Sequence, residues 1–275
     1  SEYFVKVQFL QGKDMPWAKK GYVQMEEQLR VKGAEKAAPS LEEQNTGEGK
    51  KFVEYTSEGN SICVTGTGFS VKFDKLTGAI SELTYGTQRI ITDGNGPKLD
   101  AFRAPTDNDA GIGYPKAWFQ NGLYDLQHRV IGEPNILASK GNGALQISLT
   151  VESQGKEGCD QNYGNRDRTP EKAYTFKEGV KKLGENDFKF LTTQIYTIYP
   201  DGSIELQSTI SANQTNVVLP RIGYVMKLPT ALKNFEYYGR GPVNNYADRK
   251  TGQFIERHKG IVGEQDIMLP KPQSM

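Results

Sequence analysis

Histidine and cysteine are scarce in this chain of 275 residues, which has two of each. A structural zinc site built from these residues needs four ligands. His128, His258, Cys63 and Cys159 are too widely spaced to form a local zinc motif, so we predict no metal site. Two cysteines also exclude a disulfide framework. One Cys63–Cys159 bridge is allowed, but two buried free thiols are favoured, and this leaves the cellular compartment undecided.

The sequence also lacks an excess of one charge and any long apolar run. Lys and Arg number 34 against 33 Asp and Glu, whereas nucleic-acid-binding proteins usually carry a basic excess that neutralises phosphates. No run approaches the roughly 18 consecutive apolar residues of a membrane span, and no N-terminal stretch has a signal-peptide pattern. We therefore predict neither a nucleic-acid partner nor a membrane partner.

Turn-forming and aromatic residues are abundant, with 30 Gly, 13 Pro, 14 Tyr and 12 Phe, and this mixture favours strands and turns. Apolar and polar residues alternate in many short runs, for example over 145–153 and in a hairpin over 195–210. Residues 23–31 allow a strand or a helix, and 115–126 favour one short helix. Because helices do not alternate with strands, the predicted fold class is all-β, a large and mostly antiparallel sandwich.

Composition divides the chain into three parts. Residues 1–33 predict two strands. Residues 34–59 are rich in Ala, Glu, Lys, Gly and Ser without apolar periodicity, which indicates a linker. Residues 60–275 carry the serial strand signals and predict the main domain.

Two polar segments hold the candidate site residues. The segment 103–113 does not match a calcium loop. Counted from Asp107, the fifth position is Gly111, where Asp or Asn is needed, and the twelfth is Trp118, where Glu is needed. The simplest interpretation is that Asp107 and Asp109 accept backbone N–H bonds and hold a tight loop. The segment 237–250 combines tyrosines suited to sugar stacking with charged side chains, and an ion-paired corner between strand ends is its simpler interpretation.

These two segments resemble motifs of a known family. FRAPTDNDAGIG (102–113), followed by Trp118, resembles the opening of the C-terminal domain of family 2 β-galactosidases. YGRGPVNNYADRKTG (238–252) is similar to the GxGPxENYxDR motif of the same domain. Residues 2–31 are similar to the end of the preceding β-sandwich domain, and 269–275 to the start of a later motif. The resemblance covers essentially the whole chain.

The resemblance implies that the chain is the C-terminal region of a retaining β-galactosidase. Residues 1–33 would be the last strands of an immunoglobulin-like β-sandwich, 34–59 a linker, and 60–275 the small-chain domain, truncated at its C-terminus. That domain would be an antiparallel supersandwich like the galactose mutarotases. In the family both catalytic glutamates lie earlier, on a TIM barrel, so we expect no catalytic residue here and no activity of the chain alone.

The resemblance also implies which residues lie near substrate. In the family the loop after DND lies at the active-site mouth and shifts as substrate moves deeper, and Gly111 and Gly113 would give it a hinge. The corresponding residues are Asp107, Asn108, Asp109, Gly111, Ile112, Gly113 and Tyr114. The candidate carbohydrate contacts are Arg103, Trp118, Tyr238 and Arg240. Asn244 replaces the usual Glu of the second motif, so any ion pair of that Glu is missing or altered.

The resemblance implies no cofactor in this chain, with Mg²⁺ and Na⁺ bound by other domains of the parent enzyme. Its expected partners are those domains, especially the TIM barrel, and a galactoside substrate, in a homo-oligomeric parent located in the bacterial cytoplasm or periplasm. Two alternatives stay open. One is a stand-alone carbohydrate-binding module; the other is an aldose 1-epimerase-like sandwich, for which only His128 and His258 offer histidine acid/base groups.

Overall fold

The computed structural model describes residues 2–33, 53–138, 143–160, 178–242, 250 and 252–264, without the side chains of Asp107 and Glu178. Predictions for 34–52, for 243–249 including Asn244, and for 269–275 lie outside the described residues. Strands make up 52% of the described residues and helices 7%, which confirms the all-β prediction.

The described part of the chain contains eighteen strands, every pair of which is antiparallel. They are β1 (Phe4–Leu10), β2 (Val23–Arg30), β3 (Glu54–Glu58), β4 (Ser61–Gly66), β5 (Phe69–Asp74), β6 (Ile80–Tyr85), β7 (Gln88–Ile91), β8 (Lys98–Asp100), β9 (Leu126–Val130), β10 (Asn135–Ala138), β11 (Leu145–Gly155), β12 (Glu157–Asp160), β13 (Glu178–Lys182), β14 (Lys189–Ile198), β15 (Ile204–Ala212), β16 (Gly223–Val225), β17 (Asn234–Gly241) and β18 (Phe254–Ile261). Two short helices, α1 (Asp107–Ile112) and α2 (Tyr114–Gln120), and a 3₁₀ turn (Thr230–Leu232) complete the elements.

The chain divides into two compact units, one from 1–40 with 233–267 and one from 41–232 with 268–275. The described strands of the first unit are β1, β2, β17 and β18. The sequence prediction places β17 and β18 within a 60–275 domain, whereas their contacts group them with β1 and β2. The boundaries 1–33, 34–59 and 60–275 themselves remain a prediction.

The second unit contains two five-stranded sheets with a shared core. One has the order β3-β4-β5-β6-β7; the other has the order β10-β11-β14-β15, with β9 also paired to β11. Strand β11 follows the predicted alternation, since every second residue from Leu145 is buried. Because side chains of a strand point to alternate faces, each sheet turns one apolar face to the core. The buried members are Ile62, Val64, Phe69, Val71, Phe73, Ile80, Leu83, Ile91, Leu145, Ile147, Leu149, Val151, Tyr196 and Ile198.

A second apolar cluster in this unit holds α2 through Trp118. It contains Leu99, Ala101, Trp118, Leu123, Phe188 and Phe190. The end of α2 passes so close to β12 that a Cβ at Gly158 would overlap the backbone oxygen of Gln120. Glycine is required there by this close approach. Helix α2 is thus fixed against the sheet at its C-terminal end.

The first unit joins the β1–β2 and β17–β18 ribbons through polar contacts. Gln28 Nε2 donates to Ile255 O at 3.0 Å, and Ile255 N donates to Gln28 Oε1 at 2.9 Å. Lys6 Nζ lies 3.1 Å from Glu256 Oε1 and 4.5 Å from the centroid of the Phe254 ring. The helical alternative for 23–31 is wrong, because Val23–Arg30 form β2, which pairs with β1.

Candidate functional site

The base of the candidate site is an ion pair between Arg103 and Asp109. The guanidinium donates to both carboxylate oxygens, Nη1 to Oδ2 at 2.5 Å and Nη2 to Oδ1 at 3.0 Å. Their side chains are only 16% and 12% exposed. A bidentate pair of this kind fixes direction as well as distance.

Thr106 connects this pair to the start of α1. It is the N-cap of the helix, and a capping box joins it to Asp109. Thr106 N and Oγ1 donate to Asp109 Oδ2 at 2.8 and 2.9 Å. The prediction that Asp109 accepts a backbone N–H bond is therefore confirmed, whereas the side chain of Asp107 lies outside the described residues.

The environment of Asp109 favours its ionised form. Burial alone would raise the pKa of this carboxyl, but the hydrogen bonds from Arg103 and Thr106 outweigh it and hold the pKa below its usual range. Asp109 is thus a charged structural group at neutral pH.

Trp118 lies behind this pair in the second apolar cluster and is 1% exposed. Its Nε1 donates to Val218 O at 2.6 Å, and the Arg103 guanidinium lies 5.5 Å from the centre of its ring. The ring is therefore a core side chain of this unit. Its burial gives no support to the carbohydrate contact predicted for Trp118, which stays a prediction.

The segment predicted as a substrate-proximal loop is helical, and the loop assignment is corrected here. Residues Asp107–Ile112 form α1, and Gly113 ends it in the left-handed region at φ 87° before α2 begins. Ile112 is 66% exposed and Tyr114 38%. Only Gly113 of the two predicted hinge glycines has the unusual backbone, because Gly111 lies inside the helix. We call Gly111 to Tyr114 the α1–α2 junction.

The remaining predicted contacts lie on β17 in the first unit. Tyr238 is 53% exposed, and its hydroxyl donates to Glu2 Oε2 at 3.2 Å. Arg240 Nη1 donates to the carbonyl oxygens of Gln253 at 2.8 Å and Lys250 at 3.2 Å. Arg240, on β17, is therefore hydrogen-bonded to the chain just before β18.

Three further findings bear on the predicted chemistry. Cys63 and Cys159 are free thiols, which confirms that part of the prediction, but only Cys159 is buried, whereas Cys63 is partly buried. Within the described ranges, no group of three or more His, Cys, Asp or Glu is placed to hold a metal ion. No helix among these residues has the length and apolarity needed to cross a bilayer.

The fold and the site define a β-sandwich protein whose candidate site is an exposed turn anchored by a buried ion pair. A family model described as "Beta galactosidase small chain" matches residues 65–275. The chain belongs to this β-galactosidase small-chain family.

Curated relatives agree with this assignment. A β-galactosidase of Priestia megaterium is 26% identical over 275 residues, which is 99% of this chain and 22% of the relative. A β-galactosidase of Psychromonas ingrahamii is 28% identical over 94% of this chain and 22% of the relative. One of Kluyveromyces lactis is 24% identical over 75% of this chain and 17% of the relative. The chain spans about a fifth of the length of these relatives.

Proposed function

We propose that the chain is the non-catalytic C-terminal part of a retaining β-galactosidase that hydrolyses terminal β-D-galactosides. The observation that carries the proposal is the small-chain family match over 65–275, in a chain that spans 22% of relatives named β-galactosidase. Retaining glycosidases use two carboxyl groups about 5–5.5 Å apart. The proposal assigns that pair to the TIM barrel of the same polypeptide.

The apolar surface of the β1–β2 ribbon supports a covering domain. Val5, Phe9, Met25 and Leu29 are each at least half exposed, and they lie opposite one another in the register pairs Val5–Leu29 and Phe9–Met25. Contiguous exposed apolar surface on a protein commonly marks an interaction site. In this proposal, the rest of an immunoglobulin-like domain covers the face, since 1–33 would be its last strands.

The α1–α2 junction would shape and gate the mouth of the active site. Its base is held by Asp109 and Arg103, whereas its tip exposes Ile112 and Tyr114. A fixed base with a glycine turn lets a tip move without loss of the surrounding fold. Carbohydrate contact through Tyr238 and Arg240 belongs to the same proposal.

The finer features of the fold and assembly are also proposed. The domain over 60–275 would be a supersandwich of the galactose mutarotase type. The parent enzyme would bind Mg²⁺ and Na⁺ in other domains and assemble as a homo-oligomer.

Kinetics of a longer polypeptide that contains the catalytic domain test the gating role. Gly113→Ala forces an L-residue into the left-handed region, at a cost of about 1 kcal/mol, and we expect a change of about fivefold in kcat/KM for a chromogenic galactoside. Gly132→Ala is the matched control, because Gly132 also has positive φ and open space around its Cα. Equal kinetic effects of both variants, or none from Gly113→Ala, would contradict the gating role.

A further inference from the structure

Three polar side chains form a row on the buried face of β14 in the second unit. Thr192 and Tyr196 are 0% exposed, and Gln194 is 4% exposed. Because alternate residues of a strand point to the same face of the sheet, all three side chains project into the sandwich. Thr192 Oγ1, Gln194 Oε1 and the Tyr196 hydroxyl oxygen have no hydrogen-bond partner among the described residues. We call these three side chains the polar row.

The two strands beside β14 offer the polar row almost no hydrogen-bonding groups. Its register neighbours are apolar with one exception, a serine. They are Ile147, Leu149 and Val151 on β11, and Leu206, Ser208 and Ile210 on β15. The serine is already bonded, because Ser208 Oγ accepts a hydrogen bond from the Tyr224 hydroxyl at 2.9 Å. Gln194 Nε2 donates to the same hydroxyl at 3.2 Å, so the amide nitrogen of Gln194 has a partner while the amide oxygen does not.

Buried polar atoms without partners are costly, and three of them in one row are unusual. In folded proteins the large majority of buried side-chain polar atoms bond to the protein or to ordered water. A buried water molecule typically makes about three hydrogen bonds to groups that the protein itself leaves unsatisfied. The polar row therefore has the chemistry of an internal water site.

The surroundings of the polar row favour water over an ion or a larger ligand. No register neighbour is charged, and burial, followed by Tyr224, raises the pKa of the Tyr196 hydroxyl, which is neutral at physiological pH. An ion at this position would be buried without a counter-charge, at high energetic cost. The near-zero exposure of all three side chains excludes a bulky ligand.

The spacing of the polar row suits one water molecule between each two neighbours. Alternate residues of an antiparallel strand lie about 6.8 Å apart. A water molecule with hydrogen bonds of about 2.8 Å on either side spans up to about 5.6 Å, which is close to that spacing. The oxygen of Gln194, in the middle of the row, has two lone pairs and can accept a hydrogen bond from each side.

We infer that the polar row binds two ordered water molecules, one between Thr192 and Gln194 and one between Gln194 and Tyr196. Each water accepts a hydrogen bond from a hydroxyl group and donates one to Gln194 Oε1. The two waters satisfy all three atoms and fix the Gln194 amide, whose nitrogen holds Tyr224 on β16. This inference does not depend on the proposed function.

Urea unfolding of Thr192→Val and Tyr196→Phe tests the water site through the sign of the effect. Both substitutions keep the shape of the side chain and remove its hydroxyl. Loss of a hydrogen bond to bound water should lower the equilibrium constant for folding about fivefold in each variant. Removal of a hydroxyl that has no partner would raise that constant instead. Unchanged or increased stability of both variants would overturn the inference.

Thr193→Val is the matched control, because it makes the same change on the same strand at an exposed position. It should alter the equilibrium constant for folding by no more than about twofold, as surface substitutions usually do. A loss equal to that of Thr192→Val would overturn the inference.

A crystal structure of the chain separates bound water from direct contact between the side chains. We expect a water oxygen within about 3.2 Å of Gln194 Oε1 on each side, and loss of the water next to position 192 in Thr192→Val. Direct hydrogen bonds from Thr192 and Tyr196 to Gln194, with no water between them, would overturn the inference.

Discussion

Removing the charge of Asp109 should destabilise the second unit more than an ordinary surface substitution. Asp109→Asn keeps the size of the side chain but leaves the guanidinium of Arg103 without its carboxylate, and both side chains are less than a fifth exposed. Breaking one half of a buried pair costs about 3–5 kcal/mol. Because some solvent reaches this pair, we expect about 3 kcal/mol. In a unit of this size that loss lowers Tm by about 6–12 °C.

Tryptophan fluorescence during urea unfolding is the assay. The chain has two tryptophans, and Trp118 is buried against Arg103 while Trp17 is 64% exposed. In a Trp17→Phe background the signal therefore reports the candidate site. Asp109→Asn should lower the midpoint and leave the m-value unchanged.

A double-mutant cycle with Arg103→Met separates the ion pair from packing, because methionine keeps an apolar stem next to Trp118. We expect the double variant to be about 1.5–3 kcal/mol more stable than the sum of the single effects predicts, as for hydrogen bonds to charged groups. Effects that add within about 0.5 kcal/mol would refute the reasoning.

The pH dependence of the same variant gives an independent check. The pKa of Asp109 is lower in the folded state than in the unfolded chain, so folding favours the ionised carboxylate. The contribution of Asp109 to the free energy of unfolding is complete above the pKa of the unfolded chain, near 4. It disappears as the pH falls through the pKa of the folded state. The difference between wild type and Asp109→Asn should shrink over that interval; a constant difference would contradict the assignment.

Two further predictions concern backbone and burial. Gly113→Ala should destabilise the fold by about 1 kcal/mol because of its positive φ, while Gly111→Ala should stabilise it by about 0.5 kcal/mol as a helical position with open space; effects of the same sign in thermal unfolding would contradict both. Burial and Lys98 lower the pKa of His128 from 6.5 to about 4, so wild-type stability should rise by up to about 3 kcal/mol from pH 4 to 6.5. Urea unfolding of His128→Phe at pH 4 and at pH 6.5 should show no such rise in stability. A rise that persists in this variant would show that another group causes it.

The strands of the main sandwich were predictable because apolar and polar residues alternate along the sequence, and buried and exposed side chains alternate in the same way along the strands. Over 145–153 every second residue is apolar, and β11 buries those residues and continues to Gly155. The hairpin around Pro200-Asp201-Gly202 was predictable from turn chemistry. Both signals depend only on neighbouring residues.

The helical form of 107–112 was missed because DNDAGI has weak helix formers and a glycine. Thr106 followed three residues later by Asp109 was the available signal, as a capping box with Asp in place of Glu. The burial of Trp118 and the pairing of Arg103 with Asp109 depend on tertiary packing. So does the grouping of β17 and β18 with β1 and β2, which lie more than 200 residues earlier.

Hydrolysis of a chromogenic β-galactoside by the purified 275-residue chain tests the central claim most directly. If the two catalytic carboxyl groups lie on other domains of the polypeptide, the chain should release no chromophore above the rate in buffer. Turnover that copurifies with the chain and responds to substitution of one of its own carboxylates would contradict the account.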